Sequence, residues 1–310
     1  MKFWVGITDN SWFDFLAIKK PDEINFWRPS SILQFKAIEP GALFLFKLHS
    51  PKNFITGGGF FVRHSVIPLT LAWQAFGEKN GASSFESLSK MISRLRKDKQ
   101  RDPLIGCTIL AEPFFLPESE WIPVPDNWSP NLVQGKTYDT NEQYGKNLWE
   151  AVLSKIQKPS VPSLDKPENA VAREARSGYG ADYLTKARLG QGTFRILVTE
   201  AYKRRCSITG ERTLPVLQSA HIKPFSESGP NKISNGLLLR SDLHILFDRG
   251  YVTIDDNLSV VVSKRIKEEF ENGRDYYALH GTSLKVLPNN FLEHPAKEFV
   301  QWHNENIFIE

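Results

Sequence analysis

Four polar residues in one stretch of the 310-residue chain carry the strongest chemical signal: His221, Asn235, His244 and Asp248. Asn235 follows His221 by 14 residues, His244 follows Asn235 by 9, and Asp248 comes four further on. A histidine and a carboxylate at i and i+4 of one short helix project from the same face. So placed, they can hold one divalent cation and leave coordination positions for phosphate and water. His221 lies on a different element, which ends at the Pro224 turn. A neutral imidazole held opposite a cation is suited to draw a proton from water, which then attacks phosphorus in line with the leaving oxygen. The cation would neutralise charge on the phosphate and on the leaving 3′ oxygen. Asn235 has an amide able to hold the His221 loop. His49, His64, His280, His294 and His303 show no comparable spacing and are read as core or surface residues.

The elements that must position these residues follow from local pattern. Phe194–Tyr202 puts Phe194, Leu197, Val198 and Ala201 on one helical face and runs into Lys203-Arg204-Arg205, candidates for phosphate contact. A hairpin-like region carries His221. A short helix is expected from Ser241, read as its N-cap, to a stop before Gly250, read as the C′ glycine. YVTIDDNLSVVVS reads as a hairpin turning at Asp255-Asp256-Asn257. The N-terminal half reads mostly as strands: KFWVGIT, ALFLFKL after the Glu39-Pro40-Gly41 turn, and GGFFVRHSV. LTLAWQAFG and SFESLSKMISRLRKDKQR read as helices between them. Gly57, Gly58 and Gly59 mark a bulge, a tight turn or a close approach to nucleic acid.

The segment QSAHIKPFSESGPNKISNGLLLRSDLHILFDRG resembles the HNH endonucleases, most of all the subgroup written A-H-I-x-P … N-G-L-x-L … D-x-H-x-x-F-D-x-G. RLGQGTFRILVTEAYKRRCSITG, just upstream, is similar to the same subgroup, so the likeness runs over residues 188–255. The resemblance implies a ββα-metal nuclease with His221 as general base, Asn235 as its orienter, and His244 and Asp248 as metal ligands. The implied cofactor is a divalent ion, Mg2+ or Mn2+ first, with Zn2+, Ni2+ or Co2+ as alternatives. One departure stands out. The position before the base, often Asp or His in such sites, is Ala220. Either the ion takes more water or another residue fills that place. The cysteine pairs that brace some HNH domains are also missing, since Cys206 stands alone, and no structural zinc is expected.

The first half resembles the EVE domains of the PUA-like superfamily. The likeness rests on FWVGIT, on Phe26-Trp27-Arg28-Pro29 before a helix-like stretch, on EPGALFLFKLHSP and on ITGGGFF, across about residues 1–65. It implies a mixed β-barrel decorated by helices that accepts a modified cytosine in an aromatic pocket. A base drawn from a duplex loses a few kcal/mol of stacking and pairing, which aromatic side chains must return. Trp12 and Trp27 are the expected pocket rings, in apparent loops beside Asn10, Ser11 and Asp14 and beside Arg28 and Ser30, whose polar groups could read the base edge.

Composition frames these readings. With 39 Lys+Arg against 35 Asp+Glu the net charge is +4, too mild to name a nucleic-acid partner alone. Basic residues gather instead around residues 151–205 and 94–99. Seven of the eight tryptophans lie before residue 150, and a proline-studded stretch separates two halves. The expected organisation is α+β throughout: a reader domain over 1–155, a linker over 156–172 and a nuclease domain over 173–310. No apolar run spans a bilayer and no signal pattern opens the chain, so a cytoplasmic protein without a membrane partner is expected. G-x-S-x-G, G-x-x-x-x-G-K-[ST] and H-E-x-x-H do not occur. The leading expectation is an endonuclease for double-stranded DNA carrying methyl- or hydroxymethylcytosine, acting in restriction, with a homodimer as one route to cutting both strands. The alternatives are an HNH nuclease specific for sequence or structure, and a non-catalytic PUA-like nucleic-acid-binding protein.

Overall fold

The computed structural model describes residues 1–30, 34–96, 98, 100–156 and 189–310. The chain divides into two compact units, Met1–Arg188 and Leu189–Glu310. Apart from Ile156, the expected linker lies outside the described residues, as do the expected domain start at 173, Lys97, Lys99 and the basic residues between 157 and 188. No helix among the described residues is long and apolar enough to cross a membrane.

In the first unit β1 (Lys2–Thr8) leads through α1 (Asn10–Lys19) to β2 (Glu23–Arg28), β3 (Leu43–Leu48) and the long β4 (Phe54–Pro68). Then come α2 (Leu69–Phe76), α3 (Phe85–Leu95), β5 (Leu104–Phe115), β6 (Ile122–Pro123), β7 (Gly135–Asp139) and α4 (Gln143–Ile156). The strands form one mixed sheet in the order β2-β5-β4-β3-β1-β7, with β6 beside β4. The pair β1–β3 is parallel. Side chains alternate across a strand, so the apolar run Leu43–Phe46 of β3 reports burial on both faces. Phe44 and Phe46 enter one core with Trp12, Phe13 and Leu16 of α1, while Leu43 and Leu45 enter another with Leu148 and Val152 of α4.

Several expectations change here. Among the described residues the end strands β2 and β7 are not paired with each other, so the sheet is open where a barrel would close. There Arg28, at the end of β2, donates from Nη1 to Gln134 Oε1, just before β7, at 3.0 Å. Trp12 stands on α1 and Trp27 on β2, where loops were expected. The helix α1 is capped by Asp9, whose carboxylate accepts from the Trp12 N–H at 2.9 Å. The glycine triplet lies inside β4: a Cβ on Gly57 would fall 2.3 Å from Phe114 O, and the register with β5 shifts between Gly58 and Phe60. These glycines serve strand packing and a bulge. No helix follows Pro29 in the described part of that stretch, and α3 ends at Leu95, before the basic run is complete.

The second unit opens with α5 (Gln191–Ala201), followed by β8 (Leu217–His221), β9 (Gly236–Arg240) and α6 (Ser241–Asp248). The hairpin β10 (Val252–Ile254) and β11 (Val260–Val262), α7 (Arg265–Phe270), α8 (Arg274–Tyr277) and α9 (Lys297–Asn306) complete it. Ser241 is the first helical residue of α6, and Arg240 holds the N-cap position without a side-chain cap. Gly250 follows the C-cap with φ +77, the left-handed conformation glycine adopts freely. Asp255 makes the β10–β11 turn by accepting from the N–H groups of Asn257 and Ser259. One apolar core, with Phe194, Val198, Leu237, Leu239, Leu243 and Phe247 among its members, fastens α5, the β8–β9 hairpin and α6 together.

Candidate functional site

Antiparallel pairing of β8 with β9 sets His221 opposite Gly236 at the loop end of the hairpin. A side chain on Gly236 would press within 2.6 Å of Val198 Cγ2, so its absence lets the hairpin lie directly on α5. Fully buried Asn235 closes the loop between the strands. Its Oδ1 accepts from Lys223 N at 2.8 Å, and its Nδ2 donates to Lys223 O at 2.9 Å and to Pro230 O at 3.0 Å. Asn235 thus acts on the loop that presents His221 and does not touch the ring. The ring itself stacks on Phe194 of α5, with centroids 3.8 Å apart and planes 12° apart. Its Nε2 lies 2.8 Å from Asn231 Oδ1. Burial lowers the His221 pKa, against the opposing pull of the Asn231 hydrogen bond and the Asp248 charge.

His244 and Asp248, one turn apart on α6, bring Nε2 and Oδ2 to 3.2 Å. Gln218 Oε1 accepts from His244 Nδ1 at 2.7 Å, so in the neutral ring the Nε2 lone pair faces the carboxylate. Two lone-pair donors pointed at each other suit a cation between them. Burial, aided by Arg195, lowers the His244 pKa despite Asp248, which keeps the imidazole in its ligating form. Partial burial raises the Asp248 carboxyl, opposed by both imidazoles. Ala220 is fully buried in the hairpin, and no group of three or more His, Cys, Asp or Glu able to hold a metal occurs among the described residues. The His244–Asp248 pair could therefore offer a cation an imidazole nitrogen and a carboxylate oxygen, and the remaining positions would fall to water or substrate. His221, His244 and Asp248 share one cleft of 280 Å³ with Ser219, Phe225 and His303.

The basic residues after α5 differ among themselves. Arg204 is engaged by Glu200 at 2.7 Å and Arg205 reaches Gly210 O at 3.4 Å, whereas Lys203 is exposed. Cys206 is buried, and its sulfur accepts from Thr209 N and Arg240 N.

The first unit has its own cleft, of 610 Å³, at the open edge of the sheet. Trp12, Trp27, Arg28 and Ser30 line it, joined by Asp9 and His49. Trp27 is partly exposed and anchored by its indole N–H donating to Asn80 O at 2.9 Å. Trp12 is 3% exposed and serves as a wall, edge-on to Phe26 and Phe46. Its buried indole N–H has no hydrogen-bond partner among the described residues. Asn10 does not line the cleft: its Oδ1 accepts from His49 N at 3.0 Å and so fixes the backbone of a residue that does. Asp14 pairs with Lys52 at 3.5 Å.

Sequence reasoning missed Asn231, Phe194 as the floor beneath His221, Gln218 and His49. Their roles depend on residues distant in sequence, so spacing gave no signal. Glycine, proline and asparagine clustered at 229–231 were the one available hint of a shaped turn.

The HNH endonuclease family matches residues 206–255. No curated protein matches the chain in sequence. A solved structure described as a modification dependent TagI restriction endonuclease is similar at 16% identity, covering 93% of this chain and 78% of that one, with a TM-score of 0.27. A superposition that loose carries no argument about fold or function. The family match falls on the hairpin and helix that bring His221, Asn235, His244 and Asp248 together, and the chain thus carries an HNH endonuclease domain at residues 206–255.

Proposed function

We propose that the protein is a metal-dependent, modification-dependent DNA endonuclease. In this reading the first unit is a PUA-like, EVE-type reader of a flipped 5-methyl- or 5-hydroxymethylcytosine, and the second cuts the phosphodiester backbone. The observation that carries the nuclease half is the convergence of His221 on the His244–Asp248 pair within one cleft. The reader half is supported by the aromatic cleft, whose 610 Å³ lies in the range of roughly 300–1,000 Å³ usual for small-molecule sites.

His221, kept neutral by burial, removes a proton from the water that attacks phosphorus. Phe194 beneath it and the Asn235-braced loop beside it hold the ring in place. His244 and Asp248 would hold the divalent ion, Mg2+ or Mn2+ by the chemistry of phosphoryl transfer. When bound, that ion neutralises the phosphate and the leaving 3′ oxygen. Lys203 lies among the basic residues that would meet the DNA backbone, a contact that positions without specifying sequence. In the reader, Trp27 offers a face for the base, and Asp9, Arg28 and Ser30 offer hydrogen-bonding groups for its edge. With one such nuclease site among the described residues, a double-strand break takes two copies or two successive nicks.

The test is digestion of otherwise identical duplexes carrying cytosine, methylcytosine, hydroxymethylcytosine or glucosylated hydroxymethylcytosine, each with and without divalent metal. Metal-dependent cutting confined to a modified duplex supports the proposal. Equal cutting of all four makes the enzyme a nuclease blind to modification, and no cutting with any metal removes the catalytic reading.

A further inference from the structure

We propose that Asn231 is the positioning residue that fixes which nitrogen of His221 is the base. The inference rests on the reading of His221 as the general base. Asn231 is 8% exposed and sits between two groups. On one side its Nδ2 donates to the backbone carbonyl of Leu189 at 2.6 Å. A carbonyl only accepts, so the amide must turn its NH2 toward Leu189 and its oxygen toward His221. Oδ1 then lies 2.8 Å from His221 Nε2, and an oxygen there requires the proton on Nε2. In the neutral ring the lone pair is left on Nδ1, the nitrogen that takes the proton from water.

The turn that carries Asn231 is held independently of this bond. Gly229 N donates to Pro224 O at 2.9 Å, Lys232 N to Pro230 O at 2.9 Å, and Asn235 Nδ2 to Pro230 O. A Cβ on Gly229 would fall 1.9 Å from Lys223 O, so the backbone passes too closely for a side chain there. Phe194, five residues after Leu189, supplies the face on which the ring lies. The stack fixes the plane of the ring without choosing its tautomer. Asn231 makes that choice.

The test uses the full-length, metal-free protein with 15N-labelled histidine. Two-bond 1H–15N correlations of His221, assigned by their loss in His221→Ala, report the tautomer. The wild-type ring is expected to carry its proton on Nε2, and finding it on Nδ1 overturns the proposal without need of any Asn231 variant. Asn231→Leu, similar in volume and unable to accept, is expected to lose the single tautomer. With metal added, its kcat should fall by about 10–100-fold, the range for a lost orienting partner, at unchanged KM for DNA. Asn231→Asp keeps an acceptor facing Nε2 but turns its second oxygen on the Leu189 carbonyl, so it should restore the Nε2 tautomer with a kcat below wild type. An Asn231→Asp ring with its proton on Nδ1, or an Asn231→Leu enzyme with wild-type tautomer and kcat, also overturns it. The base assignment is tested apart from this: His221→Ala cutting at the wild-type rate defeats that assignment, whatever Asn231 does.

Discussion

The two clefts of this molecule are built on opposite plans. The cleft of the first unit is wide, at 610 Å³, and walled by two indoles at the unpaired edges of a sheet. That of the second is less than half as large, at 280 Å³, and holds two imidazoles and a carboxylate beside the β8–β9 hairpin. In the second unit both imidazoles and the loop have a brace: Asn231 for His221, Gln218 for His244, and Asn235 for the loop. In the first, the braced elements are the ring Trp27, through Asn80, and the backbone of His49, through Asn10. The difference matches the two tasks proposed for them. Holding a planar base needs apolar area and room, whereas moving a proton needs a few dipoles fixed to within a fraction of an ångström.

The contrast is open to attack at several points. The largest effect should come from His221→Ala, which is expected to slow cleavage roughly a hundred- to ten-thousand-fold while leaving DNA affinity intact in a gel-shift titration. Acid should weaken both units through a shared device. Burial holds the His303 pKa down at about 4 against an ordinary 6.5, and burial with the nearby Arg28 does the same for His64 in the first unit. Between those two pH values the unfolded chain binds a proton that the folded chain refuses, so stability is complete above pH 6.5 and falls as pH drops toward 4. For His303 the loss amounts to about 3 kcal/mol. Urea unfolding followed at pH 7 and pH 4.5 measures it, and identical midpoints would contradict the buried neutral ring.

Trp27→Ala should weaken binding of modified DNA by roughly 1–3 kcal/mol, about 5- to 150-fold, with no change in the single-turnover rate at saturating DNA. A variant that still prefers modified over plain DNA would show that the cleft is not the reader. Smaller again is Lys203→Ala. It should lower affinity alike for all sequences and reduce the salt slope of binding by about one, while an unchanged slope places the residue off the DNA.

The site residues were legible where chemistry coincides with short-range periodicity. His244 and Asp248 are a turn apart on a helix, and that spacing alone brings their side chains together. The Leu43–Phe46 run of β3 was legible because burial on both faces leaves no polar alternation there. By contrast, α1 carries apolar and charged residues almost evenly around its axis, so neither the helix nor the place of Trp12 on it could be read from pattern. The open sheet was hidden for another reason. Whether β2 meets β7 depends on strands more than a hundred residues apart, and no local residue type records it. Asn231 was hidden likewise, since its partners lie 10 and 42 residues away.

The carbonyl of Leu189 has a consequence for anyone dividing this chain. The family match begins at Cys206, and the hairpin and α6 that bear His221, Asn235, His244 and Asp248 all lie beyond that point. A fragment cut at the match would therefore keep all four residues of the motif. It would lose Phe194 and the Leu189 oxygen, and with them the plane of the His221 ring and the anchor of the amide beside it. An HNH module taken from this chain should accordingly start no later than Leu189. If Asn231 aligns the imidazole as proposed, the limit of that module is set by one peptide oxygen, 32 residues ahead of the ring.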